Sequence, residues 1–337
     1  MAVISVSRRT DIPAFYTDWF LNRVKKGYVI VPSTFGNTRA FVVPLDKDYV
    51  DCFVFWTKNA KPLLDRIDEL EGYTYYFQYT VNRYGRDIEE SVPGSAADTF
   101  AELSEKIGKE RVIWRYDPIL LSERYSIDWH IHNFKGLAQK FSGHTEKCVI
   151  SFIDLYAKTS RNTKGLGIRA PDETEMKSIA EQFSVIAKEF GIKLCSCCEK
   201  IDLSQYGIDH NSCIDGNLIE RLSGKTRSYL LDNQREGCGC VKCTDIGMYD
   251  TCKHKCRYCY ATVNHSAVDS FVCNSLSNIL NPEGLSIQSV YFEGKEIIDF
   301  DLWLKDRSDC NAYKEKSKKS KREQSPPGVI TLDSFSD

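Results

Sequence analysis

Apolar runs of strand length alternate with longer amphipathic segments over the first 200 residues, and this alternation limits the fold to the α/β class. The runs rich in β-branched and aromatic residues predict strands at 3–7, 52–57, 74–81, 111–116, 147–153 and 192–196. Helices are predicted between them at 62–70, 96–107, 128–141 and 172–190, and beyond residue 200 at 214–222 and 267–280. Nearly continuous apolar strands joined in this way are typical of a parallel sheet covered by helices, open or closed as a barrel.

Polar segments follow five of the predicted strands, at 7–11, 57–59, 81–83, 115–118 and 154–156. In parallel α/β folds the carboxyl ends of the strands meet at one rim, where chemistry gathers. The sequence therefore predicts a cleft lined by these segments. The alternative is a set of solvated loops with an internal ion pair between Arg115 and Asp117.

Composition excludes several classes of protein. With 42% hydrophobic residues the chain can bury a core, and it is not disordered throughout. A formal charge of −2 gives no global basic field for nucleic acid or anionic lipid. No apolar stretch approaches the roughly 18 to 20 residues of a membrane helix, and the early charges Arg8, Arg9 and Asp11 argue against a signal peptide. We expect a cytoplasmic protein without a membrane partner.

The cysteines are distributed unevenly. Of 14, only Cys52 and Cys148 precede residue 195, and both fall in apolar strands, where a free cysteine packs as a small hydrophobic residue. A reducing cytoplasm does not maintain structural disulfides. The cysteine-rich remainder therefore indicates metal or redox chemistry.

Three of these cysteines, Cys252, Cys256 and Cys259, form a C-x3-C-x2-C motif. Thiolates are soft ligands that suit iron, and three of them in one loop can hold three corners of a [4Fe–4S] cluster. The fourth iron is then open to chelation by S-adenosylmethionine, which an electron cleaves to a 5′-deoxyadenosyl radical. Tyr258 is placed to contact the adenine, and His254 is expected to be an exposed loop residue beside the cluster.

The stretch Cys-x3-Cys-Arg-Tyr-Cys-Tyr-Ala resembles the radical S-adenosylmethionine superfamily, and most of all its spore photoproduct lyase-like branch. In that branch the motif follows the first barrel strand, whereas here it starts at residue 252 of 337. Segments that follow the cluster loop in that branch have counterparts in the N-terminal half, at 10–13, 57–59 and 115–118. The resemblance implies a circularly permuted, partial (β/α) TIM-like barrel whose cluster-binding loop is C-terminal and lies beside the first strand.

The chain as a whole also resembles an uncharacterised bacterial family of unknown function. Its members begin Ser-Arg-Arg-Thr-Asp-Ile-Pro, as here at residues 7–13, and end in the cysteine motif. The resemblance covers roughly residues 1 to 275 and implies no particular reaction.

The superfamily resemblance implies roles for strand-end residues. Lys58 pairs with the carboxylate of S-adenosylmethionine, unless it is an ordinary exposed lysine. Arg115 or Asp117 holds ribose or substrate. The amino group and ribose of the cofactor are contacted by the hydroxyls of Ser5, Ser7 and Thr10.

A second group of cysteines comprises Cys195, Cys197, Cys198, Cys213, Cys238, Cys240 and Cys243. Four of these can hold an auxiliary iron–sulfur cluster, and the resemblance favours Cys197, Cys213, Cys238 and Cys240. A zinc ribbon is the alternative, because Cys240-x2-Cys243 and Cys256-x2-Cys259 are two knuckles. That alternative leaves Cys252 unused.

The candidates for an acid, a base or a radical relay are Tyr156, Glu199 and Asp117, with Asp154 and Asp202 as further carboxylates. Each of them is equally suited to a surface position or an ion pair. No phosphate loop or Ser-His-Asp order accompanies them.

We predict three regions: an α/β partial barrel at 1–200, a cysteine-rich iron–sulfur region at 201–280 that completes it, and a C-terminal extension at 281–337 with a disordered lysine-rich tail. The predicted activity is reductive cleavage of S-adenosylmethionine to start radical chemistry. The electron donor would be a flavodoxin or ferredoxin, and the resemblance raises nucleic acid as a substrate class. The alternative is a non-catalytic metal-binding protein, of zinc-ribbon or structural iron–sulfur type, that binds nucleic acid.

Overall fold

The computed structural model describes residues 2–34, 38–232, 238–262, 265–282 and 285–297, and the predicted disordered tail lies outside them. The strands are β1 (Ala2–Val6), β2 (Tyr28–Pro32), β3 (Arg39–Pro44), β4 (Val50–Thr57), β5 (Tyr75–Thr80), β6 (Val112–Ile119), β7 (Lys147–Phe152), β8 (Lys193–Ser196), β9 (Asp209–His210), β10 (Cys243–Asp245), β11 (Ser289–Phe292) and β12 (Lys295–Glu296). The α-helices are α1 (Ile12–Phe15), α2 (Thr17–Lys26), α3 (Lys61–Leu64), α4 (Ala96–Ile107), α5 (Ile127–Phe141), α6 (Ala157–Asn162), α7 (Glu173–Glu189), α8 (Gly216–Ser223) and α9 (His265–Ser270).

Eight strands form one sheet in the order β10-β1-β4-β5-β6-β7-β8-β9. Every strand in it runs parallel to its neighbours. The six strands predicted from the sequence are β1 and β4 to β8, which lie side by side in chain order and confirm the α/β class. In the described part of the chain, β10 and β9 are the two edges and the sheet does not close into a barrel.

Alternate side chains of this sheet enter two separate cores. We call one side the helical face; it carries Ile4, Phe55, Phe77, Trp114 and Ile150. We call the other side the thiol face; it carries Val3, Val54, Tyr76, Ile113 and Val149. The helical face packs on α2, α4, α5 and α7, and the thiol face packs on α8 and on the loops of Cys213 and Cys240. Burial on both faces is why these strands read as continuous apolar runs.

Local sequence sets the limits of the helices on the helical face. Helix α7 begins after Asp172, whose side chain accepts a hydrogen bond from Glu175 N at 2.9 Å while Glu175 Oε2 accepts one from Asp172 N at 2.9 Å. This capping box satisfies two amides of the first turn, which have no partner within the helix. Helix α5 begins in the same way at Ser126, whose hydroxyl accepts a hydrogen bond from Trp129 N at 3.2 Å.

The structure adds several elements to the predicted ones, among them helix α2 and strands β2 and β3, and it shortens two predicted helices. The predicted helix at 62–70 is α3 followed by a short 3₁₀ turn, Ile67–Leu70. The predicted helix at 267–280 is wrong over most of its length, because α9 ends at Ser270. Beyond it, Asn274 and Ser277 accept hydrogen bonds from nearby backbone amides, which competes with helix formation.

The chain divides into two compact units. The first comprises Met1–Val31 and Val43–Gly284 and contains the parallel sheet. The second comprises Pro32–Val42 and Leu285–Asp337; in its described part, β11 pairs antiparallel with β12 and parallel with residues 39–41. Among the described residues there is no helix with the length and apolar character needed to cross a membrane.

Candidate functional site

Strand β10 lies beside β1, with Ser5 opposite Asp245. The Asp245 carboxylate accepts hydrogen bonds from Ser5 Oγ and Arg8 N, both at 2.8 Å, and from Ser7 Oγ. The last strand of the sheet in sequence is therefore fixed to the first through one carboxylate. Both strands end at the edge where the predicted polar segments lie.

The segment after β10 passes close to the turn after β1. A Cβ atom on Gly247 would lie 2.5 Å from Cβ of Ser7 and 3.1 Å from Cγ2 of Thr10. Gly247 N also donates a hydrogen bond to Asp245 Oδ1 at 3.0 Å. Because only glycine leaves room for this approach, the chain that leads to the three-cysteine loop is packed against Ser7 and Thr10.

Asp11 joins three segments at this edge of the sheet. Its Oδ1 accepts hydrogen bonds from Thr57 Oγ1 at 2.8 Å and from Ala14 N at 2.9 Å, which caps α1. Its Oδ2 accepts hydrogen bonds from Lys58 N and from His254 Nε2, each at 2.7 Å. The expectation that His254 is exposed is wrong, since its ring is buried. This contact fixes the centre of the three-cysteine loop to the ends of β1 and β4.

The loop of Cys252, Cys256 and Cys259 lies on this edge. Burial raises the pKa of the Cys252 thiol to about 12, and the nearby Cys259 acts in the same direction, while the backbone of His254 and Asp11 acts against them. Burial also raises the pKa of the Cys256 thiol, and Cys259 and Cys252 act in the same direction. The structure thus brings the three predicted ligands into one neighbourhood.

Glu89 organises the other side of the loop. It forms an isolated backbone bridge with Cys256, and its Oε1 accepts hydrogen bonds from Lys58 Nζ at 2.8 Å, from Asn82 Nδ2 at 3.3 Å and from Tyr258 Oη. Burial lowers the pKa of Lys58, but Glu89 and Cys256 outweigh it, so the pKa is raised overall. Lys58 Nζ also lies 5.5 Å from the centroid of the Tyr258 ring. Lys58 and Tyr258, both predicted to bind the cofactor, are therefore adjacent, and Lys58 is mostly buried.

Arg115 lies buried on the thiol face. Its Nε donates a hydrogen bond to Asp117 Oδ2 at 2.9 Å, and its Nη1 donates one to Cys213 Sγ at 3.0 Å. The guanidinium carbon lies 5.4 Å from the centroid of the Trp56 ring. Asp117 also accepts a hydrogen bond from Ser151 Oγ. The ion pair foreseen as an alternative exists, but it is buried and connects the strand ends to the second group of cysteines.

The four cysteines favoured as a second ligand group belong to one cluster on the thiol face, and we call them the row. The Sγ atoms of Cys197 and Cys213 lie 3.2 Å apart, and Cys240 Sγ accepts a hydrogen bond from Ile214 N at 3.3 Å. The hydrogen bonds from Cys197 and Cys240 hold the pKa of Cys213 well below its usual range, and the charge of Arg115 acts in the same direction.

The three catalytic candidates have different surroundings. Glu199 Oε1 accepts a hydrogen bond from Phe152 N at 2.9 Å. Burial raises the pKa of Glu199 to about 7, and the carboxylates of Asp117 and Asp154 act in the same direction. Tyr156 is exposed and donates a hydrogen bond to Asp154 Oδ2 at 2.9 Å. Glu199 and Asp117 are thus close enough to influence each other, and Tyr156 lies at the surface.

The zinc-ribbon alternative needs Cys240 and Cys243 to meet the last two cysteines of the loop. Cys240 instead packs in the same cluster as Cys213, and Cys243 Sγ accepts a hydrogen bond from Arg8 Nη2 at 3.4 Å. Within the described ranges, no three His, Cys, Asp or Glu side chains are already arranged as ligands of a single metal ion. Cys52 and Cys148 lie in the apolar cores, as expected from their strands.

A family model for a domain of unknown function, DUF1848, matches residues 3–261. The chain belongs to this family. The predicted membership of an uncharacterised family is thereby confirmed. A search of curated proteins found no match. The matched part of the DUF1848 chain runs from within β1 to just beyond Cys259, so it contains both groups of cysteines.

Two residues of the DUF1848 site, Asp245 and Glu89, were not singled out from the sequence. Asp245 had a usable signal, because Thr244-Asp245-Ile246 repeats the tripeptide at residues 10–12, which follows β1. Glu89 had no such sequence signal. It lies in the loop between β5 and α4, where no periodicity marks a carboxylate as inward-facing.

The residue types at the DUF1848 sheet edge are chemically compatible with the iron–sulfur cluster expected from the sequence. The donors in the loop are three thiols, which suit iron better than a hard cation. Thr10 Oγ1 and His254 Nδ1 are buried without a hydrogen-bond partner among the described residues. Buried polar atoms normally have partners, so these two atoms have hydrogen-bonding capacity that the described residues leave unused.

Proposed function

We propose that this protein is a radical S-adenosylmethionine-type iron–sulfur enzyme. The observation that carries the proposal is the place of the three-cysteine loop. It lies at the carboxyl edge of a parallel sheet, and its residue His254 is hydrogen-bonded to Asp11 in the turn after β1. This edge is where parallel α/β folds bind ligands.

The proposed ligands of a [4Fe–4S] cluster are Cys252, Cys256 and Cys259, with the fourth iron left for S-adenosylmethionine. When bound, this group supplies one-electron radical chemistry. The chain's own residues fix the loop through Asp11 and His254. Lys58 supplies a cation beside the loop, and Thr10 supplies a hydroxyl whose hydrogen-bonding capacity is unused.

The order of the strands supports a circularly permuted partial barrel. If β10 and its loop preceded β1 in the chain, the strands β10, β1 and β4 to β8 would follow one another in sequence as they do in the sheet. That is the order of a (β/α) barrel, whose first strand would then lead into the cysteine loop. We propose this arrangement for the DUF1848 fold.

The substrate would occupy the thiol face next to the loop. Trp56 lies there beside Arg115, and its partly exposed ring suits stacking on an aromatic substrate such as nucleic acid. Glu199 and Asp117 are placed to hold or move a proton, and Tyr156 lies at the surface. The electron would come from a flavodoxin or ferredoxin in a reducing cytoplasm.

The test is anaerobic reconstitution of the full chain with iron and sulfide, followed by dithionite and S-adenosylmethionine. We expect about four irons for the loop cluster, as its cube requires, and formation of 5′-deoxyadenosine. Cys252→Ala removes one ligand and should abolish both. Cys148→Ala, which changes a buried cysteine of β7, is the matched control and should retain both.

Each other outcome selects an alternative. Iron that depends on Cys252 without cleavage of S-adenosylmethionine would indicate a structural or electron-transfer cluster. Zinc in place of iron at the loop would indicate the non-catalytic metal-binding protein. Cleavage that survives Cys252→Ala would overturn the assignment of the loop.

A further inference from the structure

The row of cysteines on the thiol face is assembled from three separate segments. Cys197 follows β8, Cys213 follows β9, and Cys238 and Cys240 precede β10. Within the described residues between β9 and β10, the one helix is the eight-residue α8. Irregular chain of this kind has few backbone hydrogen bonds of its own, so its position against the sheet depends on side-chain contacts.

The sulfur atoms in this row accept hydrogen bonds from N–H groups. Cys213 Sγ accepts one from Arg115 Nη1 at 3.0 Å and one from Asn211 Nδ2 at 3.4 Å. Cys240 Sγ accepts one from Ile214 N at 3.3 Å. Neutral thiols are weak acceptors, whereas thiolates attract such donors. N–H groups around sulfur are also the usual surroundings of metal-bound thiolates.

The spacing of the row distinguishes one metal ion from a cluster. In a tetrahedral zinc site with Zn–S bonds of about 2.3 Å, the sulfurs lie about 3.8 Å apart. The Sγ atoms of Cys197 and Cys213 lie 3.2 Å apart, and Cys238 and Cys240 belong to the same cluster of the thiol face. The ligands of a cube sit on different irons and are more widely separated. The four thiols do not already surround a common point. Their side chains would rotate to place all four sulfurs around one metal ion.

We propose that Cys197, Cys213, Cys238 and Cys240 bind one zinc ion as a structural tetrathiolate site. The site is separate from the three-cysteine loop and does not depend on the proposed radical chemistry. It ties the ends of β8 and β9 to the entrance of β10. The Arg115 guanidinium offsets part of the negative charge of four thiolates. The metal thereby stabilises the loop-built side of the thiol face, as structural zinc does in small domains.

The test uses the full chain in which Cys252, Cys256 and Cys259 are all changed to Ala. This variant lacks the loop ligands, so its metal content reports on the second site alone. We expect one zinc per chain by elemental analysis. Cobalt in its place should give the intense visible absorption of tetrahedral cobalt thiolate. Adding Cys213→Ala should remove both the metal and the absorption.

Two neighbouring cysteines provide matched controls in the same background. Cys195 lies on β8 in register with Val149, and Cys195→Ala should retain the zinc. Cys198 is hydrogen-bonded to Cys197 at the end of the row, and Cys198→Ala should retain it as well. Loss of zinc in Cys198→Ala but not in Cys238→Ala would overturn the proposed ligand set.

A measurement on the wild type does not depend on how the variants fold. Removing the zinc with a chelator should expose four thiols to a thiol reagent and lower the melting temperature. If the loop variant contains no zinc, or contains iron with sulfide that depends on Cys213, the proposal is overturned. Absence of iron or of 5′-deoxyadenosine in the wild type would contradict the proposed enzymatic function and leave the zinc site standing.

Discussion

The two faces of the parallel sheet come from the same strands and are stabilised by different interactions. On the helical face, Phe134 stacks on Phe183 with ring centroids 3.9 Å apart and on Trp114 at 4.9 Å. The thiol face, at the same depth, holds Arg115 and Gln78. Apolar packing needs only contact, whereas a buried charge needs a specific partner. The comparison teaches that the helical face is stabilised by apolar packing, whereas the thiol face also depends on specific polar partners for its buried charge.

The largest effect is expected on the helical face. Phe134→Ala removes a ring stacked on two others and should lower the free energy of unfolding by about 3–5 kcal/mol. The loss should be the same with and without bound zinc, as urea unfolding can show. Val185→Ala on α7, whose side chain is 63% exposed, is the control and should change stability by less than about 0.5 kcal/mol. Loss of zinc from the Phe134→Ala variant would show that the two faces are not stabilised independently.

The second effect is a pH dependence of stability caused by His130. Tyr116 Oη lies 2.8 Å from its Nδ1, and its Nε2 lies 2.8 Å from Leu120 O, so the neutral ring is held between a donor and an acceptor. Burial lowers the pKa of His130 to about 4 from 6.5. The unfolded chain therefore binds the proton first, and stability is lost as the pH falls from about 6.5 to about 4, by up to about 3 kcal/mol.

His130→Gln isolates this contribution, because glutamine does not titrate. Unfolding in urea at several pH values should give a smaller loss of stability below pH 6.5 for the variant than for the wild type. Equal slopes for the two proteins would show that His130 is not kept neutral by burial, and that the helical face tolerates a buried charge.

A smaller effect is expected where β10 meets β1. Gly247→Ala places a methyl group against Ser7 and should cost about 1–3 kcal/mol, typical of overpacking. It should also weaken iron retention in the three-cysteine loop, measured after reconstitution. Gly94→Ala is the control, since a Cβ there meets nothing within 4 Å. Normal stability and iron content in Gly247→Ala would show that the approach to Ser7 is not needed.

The smallest effect concerns Trp56 on the thiol face. Its Nε1 donates a hydrogen bond to Ser5 Oγ at 3.1 Å, and its ring lies beside Arg115. Trp56→Phe keeps a ring and loses the hydrogen-bond donor. The free energy of unfolding of this variant should therefore be about 0.5–1.5 kcal/mol lower than that of the wild type. Trp56→Leu also removes the ring and should cost more stability. Equal losses in the two variants would show that the ring makes no contribution through Arg115.

Much of the helical face could be predicted from sequence, because its strands are buried on both sides and its helices carry caps such as Asp172. The strands β2 and β3 were missed although Val29, Ile30 and Val31 form a short β-branched run. The failure at 267–280 has a physical cause: Asn274 and Ser277 make local hydrogen bonds that an apolar pattern does not reveal.

Candidate residues of the site could be proposed from the sequence, but their hydrogen-bond partners could not. The cysteine loop and Lys58 follow from spacing and from their place after strands. The partners of Asp11 and Ser5 lie 243 and 240 positions away, at His254 and Asp245. No local pattern encodes such pairs, because they depend on the order of strands in the sheet. The sequence and the resemblance therefore supplied candidate residues and left open how these residues are held.

Because β10 lies beside β1 in the sheet, the two sides of β1 become paired at different times during synthesis. Domains begin to fold from the N-terminus as the chain emerges, and β1 can pair with β4 long before β10 has been made. Until then one side of β1 is an unpaired edge that can join another chain. Strand β10, which contains Asp245, is synthesised much later and covers that edge. A chain interrupted before β10 would therefore leave one side of its first strand exposed.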